Sequence, residues 1–243
     1  MDQRLTDFLV KLENTEEMDS AKETVIKFFE GFGINIFHSW FIDAAVIDNN
    51  IKFVTSCPDW WFKYYVENEC YLHDPLGLHS AEKITPLWYN RENLLISDLN
   101  KTFVDAVAVS KDGFDLESGL IFPIHSSTGS LGGVNAGSSL DKKEFQKAIS
   151  ENDDLLLIAS YLAHTKIHSL LFKRSQDEFA LTEREKECLL WLGKGLRVDA
   201  IAYKLNLARI TVDIHLRHAR EKLGCGTREQ ALAKAITMKL IAP

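Results

Sequence analysis

The sequence predicts an α+β chain of two domains. An N-terminal α/β/α sandwich is expected over residues 1–172, a linker over 173–180, and an all-α domain of four helices over 181–243. Three observations carry this. Short runs with strand character, at 34–42, 51–55, 119–124 and 130–138, fall in the first part of the chain. Helical periodicity lies before, between and after them, and a sheet flanked by helices in sequence buries both faces best as a layered sandwich. The charge divides at the same place. Residues 173–243 hold 14 Lys and Arg against 9 Asp and Glu, net +5, whereas residues 1–172 hold 14 against 26, net −12.

Taken in order, residues 2–14 and 20–32 read as helices, with Leu5, Phe8, Leu9 and Leu12 on one stripe of the first and Gly31 and Gly33 ending the second. A strand at 34–42, a turn at Asp48-Asn49-Asn50 and a strand at 51–55 follow. Pro58 starts a helix to about Cys70, and Asp74-Pro75 breaks the chain. Residues 99–111 read as a helix. The strands at 119–124 and 130–138 flank a turn at 126–129. A helix begins at Asp141, and a long one runs over 153–174 before the polar linker.

Composition excludes several function classes. The most apolar stretch, 155–163, is too short to span a bilayer. The acidic, amphipathic start lacks the apolar run of a signal peptide. A cytoplasmic protein with no membrane partner is therefore expected. Cys57, Cys70, Cys188 and Cys225 form no CxxC pair, so reduced thiols and no metal site are expected. No nucleophile motif or Gly-rich phosphate loop points to an enzyme or a cofactor.

In the C-terminal part, Thr182-x-x-Glu185 is a capping box that opens a helix closed by Gly193 and Gly195. A short helix at 198–205 turns inward Ile201, Ala202 and Leu205. After Asn206 and Leu207, a helix at 209–223 buries Val212, Leu216, Ala219 and Leu223 and offers Arg209, Thr211, Asp213, Arg217 and Arg220 on its other face. Gly224 caps it, and Thr227-x-x-Gln230 opens a fourth helix. Two helices, a short turn and a longer basic helix make a helix-turn-helix layout, with the third helix sized for the major groove of double-stranded DNA. The residues expected at the DNA are Arg209, Thr211, Val212, Asp213, Arg217 and Arg220 of that helix and Lys204 of the one before it, with Arg209 and Lys204 on phosphates.

The whole of 181–236 resembles the C-terminal domain of LuxR-type regulators. Thr182, Glu185, Leu189, Gly195, Ile201-Ala202, Leu205, Thr211-Val212, His215, Lys222-Leu223 and Ala231 stand at the positions of the family pattern. Ala208 departs from it, since a Ser usually caps the third helix. So does Asp213, which can accept from a cytosine amine or pair with Arg209 or Arg217.

The N-terminal part carries Trp61 and Tyr65 four apart on one helix face, with Cys57 a turn earlier, Asp74-Pro75 after the helix, and Trp88 and Gly119 beyond. An indole N–H, a phenol and a carboxylate among flat aromatic walls suit a mostly apolar ligand with a few polar atoms. The set resembles the autoinducer-binding domain of quorum-sensing LuxR-type regulators, in which Trp61, Tyr65, Asp74, Pro75, Trp88 and Gly119 meet the pattern. The resemblance implies an N-acyl-homoserine lactone between the sheet and a helical layer. By it, Trp61 donates to the lactone carbonyl, Asp74 accepts from the amide N–H, and Tyr65 and Trp88 pack on the head group. Cys57 replaces a Tyr of the family, and Asn135 stands where a Ser or Thr often faces the amide. Phe37, Phe53, Leu78 and Phe103 are candidates for the tail.

A homodimer on a two-fold-related operator is the expected working form, with 155–171 and the last helix as candidate dimer surfaces. Packing within the domain is the alternative for the former. Two rivals remain open. One is an enzyme using His38, His73, His79, His125, His164 or His168, and the other is a regulator whose pocket is filled by its own side chains.

Overall fold

The computed structural model describes residues 2–42, 51–96, 101–109, 115–125, 131–238 and 240–242. The turns expected at 48–50 and 126–129 and the side chain of Phe103 lie outside the described set. The chain divides into two compact units near residues 168 and 169.

The first unit opens with helices α1 (Gln3–Glu13) and α2 (Met18–Glu30), then strands β1 (Ile36–Ile42) and β2 (Lys52–Thr55). Helix α3 (Asp59–Glu67) leads through a 3-10 turn to α4 (Pro75–Glu82). Strand β3 (Leu87–Asn90) is followed by α5 (Arg91–Ile96), α6 (Lys101–Val109), β4 (Ser118–His125), β5 (Leu131–Ser138), α7 (Lys142–Ile149) and α8 (Asp153–Phe179), whose residues from Ser169 on count with the second unit. The five strands form one sheet in the order β2-β1-β5-β4-β3, with every neighbouring pair antiparallel.

Register fixes which side chains share a face, because side chains alternate with a period of two. One row runs Trp88, Leu120, Ala136, Phe37. It faces α2 and α7, through Phe29 on Phe37 and Phe145 on Trp88. Phe41, on the same face, stacks on His164 of α8 at 4.2 Å between ring centroids. The opposite face carries Tyr89, Gly119, Gly137 and Ile36, then Ile121, Asn135, His38 and Thr55. Trp61, Tyr65, Leu76, Leu94, Ala106 and Val107 of the α3–α6 layer belong to one buried cluster with Ile36, Tyr89 and Ile121 of this face. The expected α/β/α sandwich is the arrangement found.

Three elements differ from expectation. Asp74-Pro75 does not break the chain but starts α4. Asp74 is its N-cap, accepting from the Leu76 N–H at 2.8 Å, and Pro75 takes the first position, where a missing N–H costs nothing. Strand β3 was absent from the sequence reading. Helix α8 runs through the expected linker as far as Phe179.

The second unit holds α9 (Glu183–Gly193), α10 (Val198–Leu205), α11 (Arg209–Lys222) and α12 (Arg228–Thr237). Both capping boxes form, Thr182 with Glu185 and Thr227 with Gln230. Leu189, Ile201, Val212, Leu216, Leu223 and Ala231 make its core. Glu185 does a second task there. It is buried, and Lys222 Nζ donates to it at 2.8 Å, tying the end of α11 to the start of α9. Burial alone raises the Glu185 pKa, but the Lys222 and Thr182 contacts outweigh it and hold the carboxyl below the usual range. Asn206, at φ 54°, takes the left-handed conformation that lets the chain turn between α10 and α11.

Candidate functional site

The site in the first unit begins with α3. Residues 61 and 65 lie one turn apart, so both rings reach the sheet side, where they stack at 5.1 Å between centroids. Their polar tips diverge. Trp61 Nε1–H donates to the Ala106 carbonyl oxygen of α6 at 3.0 Å. Tyr65 Oη–H donates to Asp74 Oδ2 at 2.7 Å, joining α3 to the cap of α4. Burial raises the Asp74 pKa, opposed by the hydrogen bonds from Tyr65 and from the Leu76 and Gly77 N–H groups. Burial, and then the Asp74 charge, push the Tyr65 phenol well above its ordinary value, so it remains a donor.

The sheet contributes the floor. Tyr89 Oη–H donates to Asn135 Oδ1 at 2.5 Å. The phenol lies over Gly119, where any Cβ would collide with it; at Gly137 an added Cβ would stand 3.3 Å from the same oxygen. Glycine at 119 thus makes room for Tyr89. Cys57 is buried beside Trp61 and Tyr65, its thiol pushed up to about 11 by burial, and its N–H donates to Thr55 Oγ1 at 2.9 Å.

Of the expected ligand residues, the structure brings together Trp61, Tyr65, Asp74, Cys57, Asn135 and Gly119. Trp88 is elsewhere: it lies on the opposite sheet face against Phe145 and is 36% exposed. Its neighbour Tyr89 takes the inward place, because in a strand adjacent side chains point to opposite faces. Among the tail candidates, Phe53 faces the site, Phe37 packs against Phe29 on the other side, and Leu78 is exposed. His38, considered before only as a possible base, is buried on the site face among Phe53, Phe62 and Tyr65. His164 belongs to the opposite core, where Nδ1 lies 3.0 Å from Ser39 Oγ.

In the second unit, Arg209, Arg217 and Lys204 are exposed, and Arg220 and Thr211 half-buried. Val212 is fully buried in the core, so its place in the expected DNA set is corrected: the side chain that a helix turns to Leu189 and Ile201 cannot also reach a base. Asp213 pairs with Arg209 at 3.9 Å and with Arg228 of α12 at 3.9 Å. Arg217 instead lies 3.9 Å from Glu221. Lys204 sits over the Trp191 ring at 5.0 Å. Ala208 caps α11 with no side-chain bond. Sequence reasoning missed Arg228 and the 66%-exposed Ile210, which with Arg217 and Arg220 line a groove of about 270 Å³ along α11.

Comparison with known proteins agrees with both units. Residues 180–235 match the family described as bacterial regulatory proteins, luxR family, and residues 19–166 match the autoinducer binding domain. The transcriptional activator protein AhyR of Aeromonas hydrophila is 24% identical over 99% of this chain and 93% of its own length. The transcriptional activator protein LuxR of Aliivibrio fischeri is 27% identical over 79% of this chain and 76% of its own. In structure, Escherichia coli SdiA aligns with a TM-score of 0.73 at 17% identity, covering 98% of each chain. CepR2 of Burkholderia cenocepacia aligns with a TM-score of 0.57 over 69% of this chain and 96% of its own. The chain belongs to the LuxR family of bacterial regulatory proteins: it is a transcriptional regulator, not an enzyme, made of an autoinducer-binding domain and a LuxR-type DNA-binding domain.

Proposed function

We propose that this regulator binds an N-acyl-homoserine lactone between its sheet and the α3–α6 layer, and acts in the cytoplasm as a homodimer on a two-fold-related operator. The observation that carries the ligand reading is the half-buried carboxylate of Asp74, held by Tyr65 and capping α4. An ionised carboxylate has about four acceptor sites. Tyr65 and the Leu76 and Gly77 N–H groups occupy three of them, which leaves one for a ligand amide N–H. Trp61 would exchange the Ala106 carbonyl for a ligand carbonyl. CepR2 is described as N-acylhomoserine lactone dependent, which supports the same ligand class.

For the dimer, Leu157, Ile158 and Tyr161 of α8 are each more than 40% exposed in the single chain and share a helix side. Covering them would remove apolar surface from water.

A second reading has its own support. Tyr65 pairs with Asp74, Tyr89 with Asn135, and Trp61 with Ala106, so these three polar tips have partners without a guest. SdiA has been solved with octanoyl-rac-glycerol, a ligand that is no lactone. Melting the full-length protein with a panel of acyl-homoserine lactones, and with octanoyl-glycerol, separates the readings. A ligand that binds only the folded state raises the melting temperature by mass action. A rise with lactones alone supports the proposal. A rise only with the glycerol ester, or none at all, favours the second reading.

A further inference from the structure

Helix α11 carries two isoleucines, Ile210 and Ile214, four positions apart and so on one side of the helix. Neither joins the core of the second unit, to which α11 gives Val212, Leu216 and Ala219 instead. Ile210 is 66% exposed and Ile214 half-buried. A single exposed isoleucine is ordinary on a protein surface. These two are set together, and both line the groove that Arg217, Arg220 and Arg228 also line. They stand in the first half of α11, which begins at Arg209.

The rim of this pair is cationic. Arg209, Arg217, Arg220 and Arg228 each meet a carboxylate at only 3.4–3.9 Å. Exposed ion pairs of this kind contribute little, so the guanidinium groups can turn to phosphates. Asp213, the acidic residue between the two isoleucines, is offset by Arg209 and Arg228. A polyanion therefore fits the rim, and an apolar pair inside it needs an apolar feature on that polyanion. Double-stranded DNA has one in its major groove. Every base edge there offers hydrogen-bonding atoms, but thymine alone adds a methyl group. Isoleucine side chains have no hydrogen bond to give, so they leave the polar atoms of any other base edge without a partner. In helix-turn-helix docking it is the N-terminal part of the recognition helix that meets the base edges.

We propose that Ile210 and Ile214 are specificity-determining residues that pack on the 5-methyl groups of thymines in the operator half-site. The half-site then has A·T pairs fixed beneath them by apolar contact rather than by a hydrogen bond, while the surrounding arginines hold phosphates or other bases. Only the DNA-binding domain is needed for this, not the lactone.

The test begins with selection of duplexes from a random library by the full-length protein, run without a lactone and with the lactone panel. Each fixed thymine of the recovered half-site is then replaced in turn by uracil, which lacks the 5-methyl group and keeps every hydrogen-bonding atom. Fluorescence anisotropy measures affinity at one fixed salt concentration, since salt alone shifts it. The expected result is about fourfold weaker binding of the uracil duplex at one or more positions, the size of one buried methyl group. In Ile210→Ala or Ile214→Ala, the difference between thymine and uracil duplexes should disappear at the matching position. Being a ratio within one protein, it does not depend on how much of a variant is folded. Equal binding of thymine and uracil duplexes at every position overturns the inference, and so does a half-site with no fixed thymine. A uracil penalty that persists unchanged in both variants overturns the role of the isoleucines. Recovery of no duplex under either condition overturns it as well.

Discussion

The Tyr65 hydroxyl and the Asp74 carboxylate, 2.7 Å apart, join the sheet-facing side of α3 to the first turn of α4. One bond thereby holds the carboxylate that the ligand reading needs and the cap of the helix that covers the site. Replacing Tyr65 by Phe keeps the ring and removes the donor. A buried acceptor left with fewer partners costs about 1–3 kcal/mol. Urea unfolding of Tyr65→Phe should show a loss of that size without ligand. A loss near zero would mean the bond holds nothing.

The two buried histidines give an acid signature. His38 is lowered to about 4 by burial, and His164 to about 3 by burial and then by the nearby His168. A histidine whose folded pKa lies below its unfolded value of ~6.5 is favoured neutral. Its contribution is complete above about pH 6.5 and is lost as pH falls toward the folded pKa. Between pH 6.5 and 4, each should lower stability by about 1.4 kcal/mol per pH unit. Melting curves across this range should fall more steeply for the wild type than for His164→Leu. Parallel curves would show that His164 does not titrate with unfolding.

Ala208 leaves the start of α11 without a side-chain cap, yet its backbone has the extended geometry, φ −69° and ψ 146°, that caps adopt. Ala208→Ser should therefore add about 1 kcal/mol, read as a rise in melting temperature. If stability does not rise, the orphan N–H groups of that turn already have partners in solution.

The recognition helix offers a paired contrast. Arg217 is exposed on α11, and Val212 is buried among Leu189 and Ile201. Arg217→Ala should weaken binding to an operator recovered by selection from random duplexes while melting as the wild type does. Val212→Ala should lose about 1–3 kcal/mol of stability but bind the operator normally while folded. Gel shifts beside melting curves measure both, and an exchange of these phenotypes would reverse the orientation given to α11.

The second unit was the more legible in sequence because its signals are local. Capping boxes at Thr182 and Thr227 and a left-handed turn at Asn206 are decided by residues within four positions of one another. The sheet was harder, for a physical reason. Strand β1 is buried on both faces over Ile36–Phe41, so no polar alternation told Phe37 from His38 as the residue facing the site. Strand β3 has four residues, Leu-Trp-Tyr-Asn, with no period to read. Its orientation is set by register with β4, where only a glycine at 119 admits the Tyr89 phenol. Trp88 stood in the expected site through the family resemblance, and that long-range fit, which no local signal shows, turns Tyr89 inward instead. The conformation of the segment read as linker, 173–180, was a different case. Its polarity marked it as linker and said nothing of its conformation; nothing in it breaks a helix, and α8 continues through it to Phe179.

The central claim is that a lactone amide meets the Asp74 carboxylate. Calorimetric titration of one lactone into wild type and into Asp74→Asn tests it most directly. The account predicts one site per chain in the wild type and at least tenfold weaker binding in the variant, since an amide replaces a charged acceptor. Equal affinity in both proteins would contradict it.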